Sequence, residues 1–200
     1  MAQLTAKGRA TRERIVATAA GLMLADGVAA TSTEDVQRAA GASPSQLYHY
    51  FGDRKSLIRA VIAYLTDSVL GIQTPLLLRL DSAEALEAWR DEMVRLQREQ
   101  GYAGGCPIGV LVGQVAETDP DARADLAAGF ARWETAIREG LERMRAQGEL
   151  RPDADAGRLA LFLLATAQGG LLLTQVRRDT TALETALDAA MDYIRSQRVP

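Results

Sequence analysis

Only one cysteine, Cys106, and one histidine, His49, occur among the 200 residues. A structural zinc site takes about four protein ligands and a catalytic one about three, so no such site is expected here, nor any other cofactor. A lone cysteine also excludes a disulfide framework, which makes a reducing, cytoplasmic setting the default. The opening stretch MAQLTAKGRATRER lacks the apolar core of a signal peptide, so export is not expected. A Ser/His/Asp triad would have to use His49, which has a better use below. Strand-length alternation of apolar and polar residues with β-branched enrichment is absent, as are repeats and low-complexity tracts. The longest apolar run, Leu159 to Val176, is membrane-length at the low end. It carries Thr166, Gln168, Thr174 and Gln175 around Gly169-Gly170, which suits a helix packed on several sides better than one in lipid.

What remains is helix. Ala and Leu dominate, and cap-and-stop signals divide the chain into about nine helices, an all-α fold. The first is predicted from Ala6 to Ala25, closed by Asp26-Gly27. Thr33 is the expected N-cap of a short second helix that stops at Gly41, and Ser43-Pro44 opens a third running to Phe51. Two short helices around Ala40-Gly41-Ala42 make a helix-turn-helix, giving a three-helix head. A fourth helix is expected from Arg54 to Leu70, with Gly71 to Pro75 kinking or ending it. Later helices are predicted from Ser82 to Gln100, Cys106-Pro107 to Glu117, Asp119-Pro120 to Gly148, Asp155 to Arg177 and Thr181 to Ser196. The domain boundary is expected inside the fourth helix, giving 1–58 as head and 59–200 as a larger body.

Charge is divided between these parts. The net charge is −3 overall, yet residues 1–60 sum to +3 and residues 61–200 to −6. A basic head on an acidic body is compatible with a polyanion at one end only.

The helix-turn-helix residues suit DNA. Ser43, Pro44, Ser45 and Gln46 form the first turn of the third helix, the end that enters a major groove. Gln46 can pair with adenine through its amide, and His49 lies about one turn on, on a similar face. Leu47 and Phe51 can anchor the opposite face. Tyr48 and Tyr50 offer hydroxyls for phosphate oxygens, and Thr33 adds another beside a helix N-terminus. Lys7, Arg9, Arg12 and Arg14 form a basic arm that either tracks phosphates or is a frayed, solvated terminus.

The segment from Thr31 to Leu57 closely resembles the DNA-binding segment of the TetR family of transcriptional repressors, and the likeness extends over residues 11–58. Its marks are a Thr before acidic and aliphatic residues, the Ala40-Gly41 turn, then Ser43 with Leu47-Tyr48-His49-Tyr50-Phe51 and a basic residue. Arg54 occupies the position where the family's Lys usually holds the DNA backbone, and Lys55 stands where the family often has an acid. Gly105 to Gly109 and Ala116 to Pro120 look like segments of the subgroup that includes multidrug-efflux-operon repressors. The resemblance implies a homodimer on a palindromic operator of double-stranded DNA, with the last two helices making a four-helix bundle between subunits. Leu161, Leu164, Leu171, Leu172, Ala186 and Met191 are the expected interface residues. It also implies a small-molecule effector, lipophilic or aromatic, that releases the DNA. Trp89, Met93, Tyr102, Leu111, Trp133, Ile137 and Phe162, with Gln114, Thr166 and Gln168, are the expected pocket residues.

Cys106 has two readings. As N-cap of a proline-started helix it would have a lowered thiol pKa and serve as a redox trigger. As a buried small hydrophobe it would be inert. The rival whole-chain readings are a helical carrier or small-molecule-binding protein and a helical-bundle enzyme, both without sequence-specific DNA binding. An enzyme needs convergent titratable groups in its core. The periodic core positions hold none.

Overall fold

The computed structural model describes residues 4–199. Nine α-helices account for the regular structure among them: α1 Ala6–Ala25, α2 Thr33–Ala40, α3 Pro44–Phe51, α4 Arg54–Leu77, α5 Ala83–Glu99, α6 Pro107–Val115, α7 Pro120–Ala146, α8 Ala156–Arg177 and α9 Thr181–Arg195. An isolated antiparallel bridge joins Leu150 and Arg198.

The starts of these helices are made by side chains that accept otherwise orphaned N–H groups. Ser43, Ser82 and Asp155 cap α3, α5 and α8 as expected from sequence. For α2 the cap is Ser32, one residue before the expected Thr33. The reason is Asp35: it lies three residues after Ser32 and completes a reciprocal capping box with it. The fourth helix is longer than expected and continues through Pro75 to Leu77. Pro75 falls in its last turn, so the missing N–H removes only one ladder bond, and Thr74 Oγ1 donates to Leu70 O at 2.7 Å.

The chain forms two compact units, Met1–Ser68 with Val110–Gly129, and Val69–Gly109 with Phe130–Pro200. A boundary at residue 58 thus falls inside α4, before the first unit's leading segment ends.

In the first unit, Ile15, Ala19 and Met23 of α1 are buried with Val36 of α2, Leu47 and Phe51 of α3, and Leu57, Val61 and Ile62 of α4. The start of α7 packs on α4: a Cβ on Gly129 would stand 2.7 Å from Thr66 Oγ1. Arg59 Nε donates to Asp125 Oδ2 at 2.6 Å across the same pair of helices.

In the second unit the core holds Trp89, Trp133, Ile137, Leu141, Met144, Leu163 and Leu187. Gly170 lets α8 meet α9 closely, because a Cβ there would lie 2.9 Å from Leu183 Cα. Trp89 is fully buried and its Nε1 donates to buried Gln73 Oε1 at 2.9 Å. Arg90–Asp188 and Arg98–Glu184 join α5 to α9 at the surface, where such pairs add little stability.

Candidate nucleic-acid interface

The helix-turn-helix is α2, a left-handed Gly41 (φ 59°), and α3. Only glycine adopts that conformation without strain, so Gly41 both ends α2 and permits the sharp turn. Leu47 and Phe51 bury one face of α3 against the head's core. The opposite face is presented to solvent, with Ser43, Pro44, Ser45, Gln46, Tyr48 and His49 all exposed. An eight-residue helix anchored on one side by Leu47 and Phe51 is a rigid support for those side chains.

Gln46 has a second task. Its Oε1 accepts the Ser43 N–H at 2.9 Å, while its own N–H donates to Ser43 Oγ at 3.2 Å. The amide is held across the first turn of α3. One Oε1 lone pair and the Nε2 hydrogens stay available, enough for the two-bond pattern with adenine. Ser43 and Ser45 share a 2.9 Å hydroxyl contact.

The tyrosines differ. Tyr48 is 73% exposed, and its hydroxyl is free to reach a phosphate. Tyr50 turns back toward α1: its hydroxyl is 3.6 Å from where a Gly8 Cβ would be, and its ring meets Phe51 edge-on. Its main role is packing between α1 and α3. Thr33 is half-buried in the first turn of α2, where its Oγ1 donates to Glu34 Oε2 at 3.2 Å. The neighbouring Asp35 carboxyl is held below its usual range, chiefly by the Ser32 hydroxyl.

Lys7, Arg9, Arg12 and Arg14 lie within α1, which begins at Ala6 with Thr5 as its cap, so they are borne on a formed helix and not on a frayed arm. Arg12 stacks over the Phe51 ring, 5.3 Å from its centroid. Arg54 is bound into the head, with its Nη2 donating to Val28 O and to Thr31 O. Lys55 is exposed. Asp53 caps α4 by accepting the Ser56 N–H at 2.8 Å, which lowers its carboxyl pKa.

The chain matches the family model for bacterial regulatory proteins, tetR family, over residues 15–61, and the one for the tetracyclin repressor-like C-terminal domain over residues 82–190. An uncharacterised HTH-type transcriptional regulator of Mycobacterium tuberculosis is 31% identical over 183 residues, covering 86% of this chain and 88% of that protein. Another, from Lactococcus lactis subsp. lactis, is 30% identical over 190 residues, with 90% and 91% covered. A solved TetR transcriptional regulator from Chloroflexus aurantiacus is 29% identical, with a TM-score of 0.79 and 98% of each chain covered. The chain belongs to the TetR family. It is a helix-turn-helix transcriptional regulator and not an enzyme.

For this TetR-family body the structure sorts the expected pocket residues. Trp89, Met93, Trp133 and Ile137 are buried in the second unit, where Tyr102 and Thr166 are half-buried. Leu111 is buried in the first unit. Gln114 departs from expectation: it lies in the unit that holds the DNA-binding head, and its Oε1 accepts the Val28 N–H at 2.6 Å. Phe162 departs too. It is on the outer side of α8, its ring edge-on to Tyr193 of α9 at 5.3 Å, on a face shared with Leu161 that the described residues leave exposed. Sequence reasoning did not single out Gln97, whose buried Oε1 has no hydrogen-bond partner among the described residues, nor that the same holds for Trp133 Nε1.

Cys106 is buried. Backbone N–H groups of Gly109 and Ile108 favour its thiolate, but burial outweighs them and pushes the thiol pKa up. This is the reverse of the lowered pKa a redox trigger would need.

Proposed function

We propose that this regulator is a cytoplasmic repressor that binds an inverted-repeat operator as a homodimer and is released by a small lipophilic or aromatic ligand held in its second unit. The observation that carries this reading is the uncovered apolar face of α8. Leu161, Leu172, Leu173 and Val176 are exposed there, Val176 by 73%, and Phe162 and Tyr193 extend the face to α9. Exposed Ala165 and Gly169 lie among them, small enough for a second helix to approach closely. A monomer rarely leaves so continuous an apolar surface in water. A two-fold copy of the same face covers it and sets two recognition helices on two half-sites. Leu164, Leu171 and Met191, expected at the interface, are buried within the subunit and belong to its own core. Gln46 and His49 read bases, whereas Tyr48, Thr33, Lys55 and the α1 cations hold phosphates. The ligand reading draws support from the buried Trp133 Nε1 donor and Gln97 Oε1 acceptor, both unmet among the described residues. Buried polar groups normally find partners, and a bound molecule with a matching acceptor and donor supplies them.

The test is sedimentation of the wild type and of a Leu172→Glu/Val176→Glu variant at micromolar concentration. The wild type is expected as a dimer and the variant as a folded monomer with at least tenfold weaker binding to a two-half-site duplex. A monomeric wild type, or a variant that still dimerises, overturns the reading.

A further inference from the structure

The turn between α1 and α2 is held from two sides by residues far away in sequence. Val28 N–H donates to Gln114 Oε1 at 2.6 Å. Arg54 Nη2 donates to the Val28 and Thr31 carbonyls. Within the turn, Thr31 donates to Gly27 O through both its N–H, at 3.2 Å, and its hydroxyl, at 2.9 Å. Gly27 has φ +92°, and a Cβ there would come 3.4 Å from Gln114 Oε1. Val28 and Thr31 are themselves buried. The segment is therefore fixed by its side chains below and by hydrogen bonds to its backbone from α6 and α4.

We propose that Gln114 is a positioning residue for DNA binding, acting through Val28 to set the angle at which α2 and α3 leave the α1–α2 turn. The proposal rests on the reading that α3 is the element that meets DNA. The mechanism is directional. Ser32, the cap of α2, follows Thr31 immediately, so a rotation of the Val28 peptide is carried into α2 with no flexible residue between. Through Gly41, α2 then orients α3 and with it Gln46 and His49. Gln114 lies outside the stretch 15–61 that matches the family's DNA-binding model, yet Val110–Gly129 belongs to the same compact unit. A displaced C-terminal turn of α6 loses the Val28 bond and loosens the turn. Base contacts suffer from a small misalignment far more than phosphate contacts do, since phosphate attraction is long-ranged and tolerant of angle.

The test uses the full-length protein and a duplex enriched by the wild type from a random pool. The readout is the ratio of affinities for that duplex and for a scrambled one of equal length. Gln114→Met keeps the length of the side chain and removes the acceptor; the ratio is expected to fall about two- to tenfold, the range one hydrogen bond covers. Affinity for the scrambled duplex is expected to hold, and exchange of the Val28 amide to quicken. Gln114→Glu keeps an acceptor and is expected to retain the wild-type ratio, which cancels the effect of its added charge. An unchanged ratio in Q114M, or an equal fall in both duplexes, overturns the proposal, as does a Q114E ratio as low as that of Q114M. If Q114M does not fold, Q114E decides alone: a lost ratio in folded Q114E overturns the proposal and a retained one supports it. If the wild type enriches no duplex, the DNA reading fails and this proposal with it, a result distinct from failure in the variants alone.

Discussion

Replacing Gln46 and His49 together by alanine is expected to reduce binding of the best duplex to the level of random DNA while leaving that basal level nearly intact. Each good base contact contributes roughly 1–3 kcal/mol, so losing both weakens specific binding by about 30-fold to more than 10⁴-fold. The fold survives because the Ser43 cap on α3 uses the backbone N–H of residue 46, which alanine keeps. The basal affinity survives because α1 retains Lys7, Arg9 and Arg14 and α4 retains Lys55. Competition of labelled specific duplex against random duplex checks this. A double variant that still prefers its duplex by the wild-type margin places the reading face elsewhere on α3.

Trp89→Ala is expected to produce the largest loss of stability. Truncating a buried tryptophan costs about 3–5 kcal/mol in transfer and cavity terms. Here it also leaves Gln73 Oε1, in a side chain only 4% exposed, without the indole N–H that satisfies it. Set against a usual total of about 5–15 kcal/mol, such a loss brings the subunit close to unfolding. A loss of ~4 kcal/mol corresponds to a fall in Tm of roughly 8–16 °C for a domain of this size. Trp89→Phe restores most of the volume but not the hydrogen bond, so an intermediate Tm is expected. If Trp89→Ala melts within about 2 °C of the wild type, Trp89 is not the packing centre of the second unit.

The sequence reveals helices better than it reveals what their faces meet. The bounds of α1 are those expected, and those of α3, α5, α8 and α9 are within a residue or two, because Thr5, Ser43, Ser82 and Asp155 cap with short-range chemistry. The cap of α2 is misplaced by one residue, since Ser32 and Thr33 are both good caps and only Asp35's reach decides between them. The sixth helix ends at Val115, two residues early, as Thr118 and Asp119 turn their N–H groups back onto Val115 O. Faces are harder. Leu161, Leu164, Leu171 and Leu172 are indistinguishable in a helix apolar nearly all round, yet the middle two are buried and the outer two exposed. Gln114 was beyond reach for the same reason, because its partner Val28 is 86 positions away. The exposed side of α3, with Gln46, Tyr48 and His49, is legible because Leu47 and Phe51, four apart, mark the buried side.

The most direct measurement is selection of binding sites by the purified wild-type protein from a random duplex pool, at a fixed salt near 0.15 M where surface charge is already screened beyond about 8 Å. An enriched inverted repeat, with two half-sites related by a dyad, is the expected outcome. It would establish a sequence-specific dimer and supply the duplex for every other test. Enrichment of a single half-site, or of no motif at all, would contradict a homodimer that reads an operator through α3.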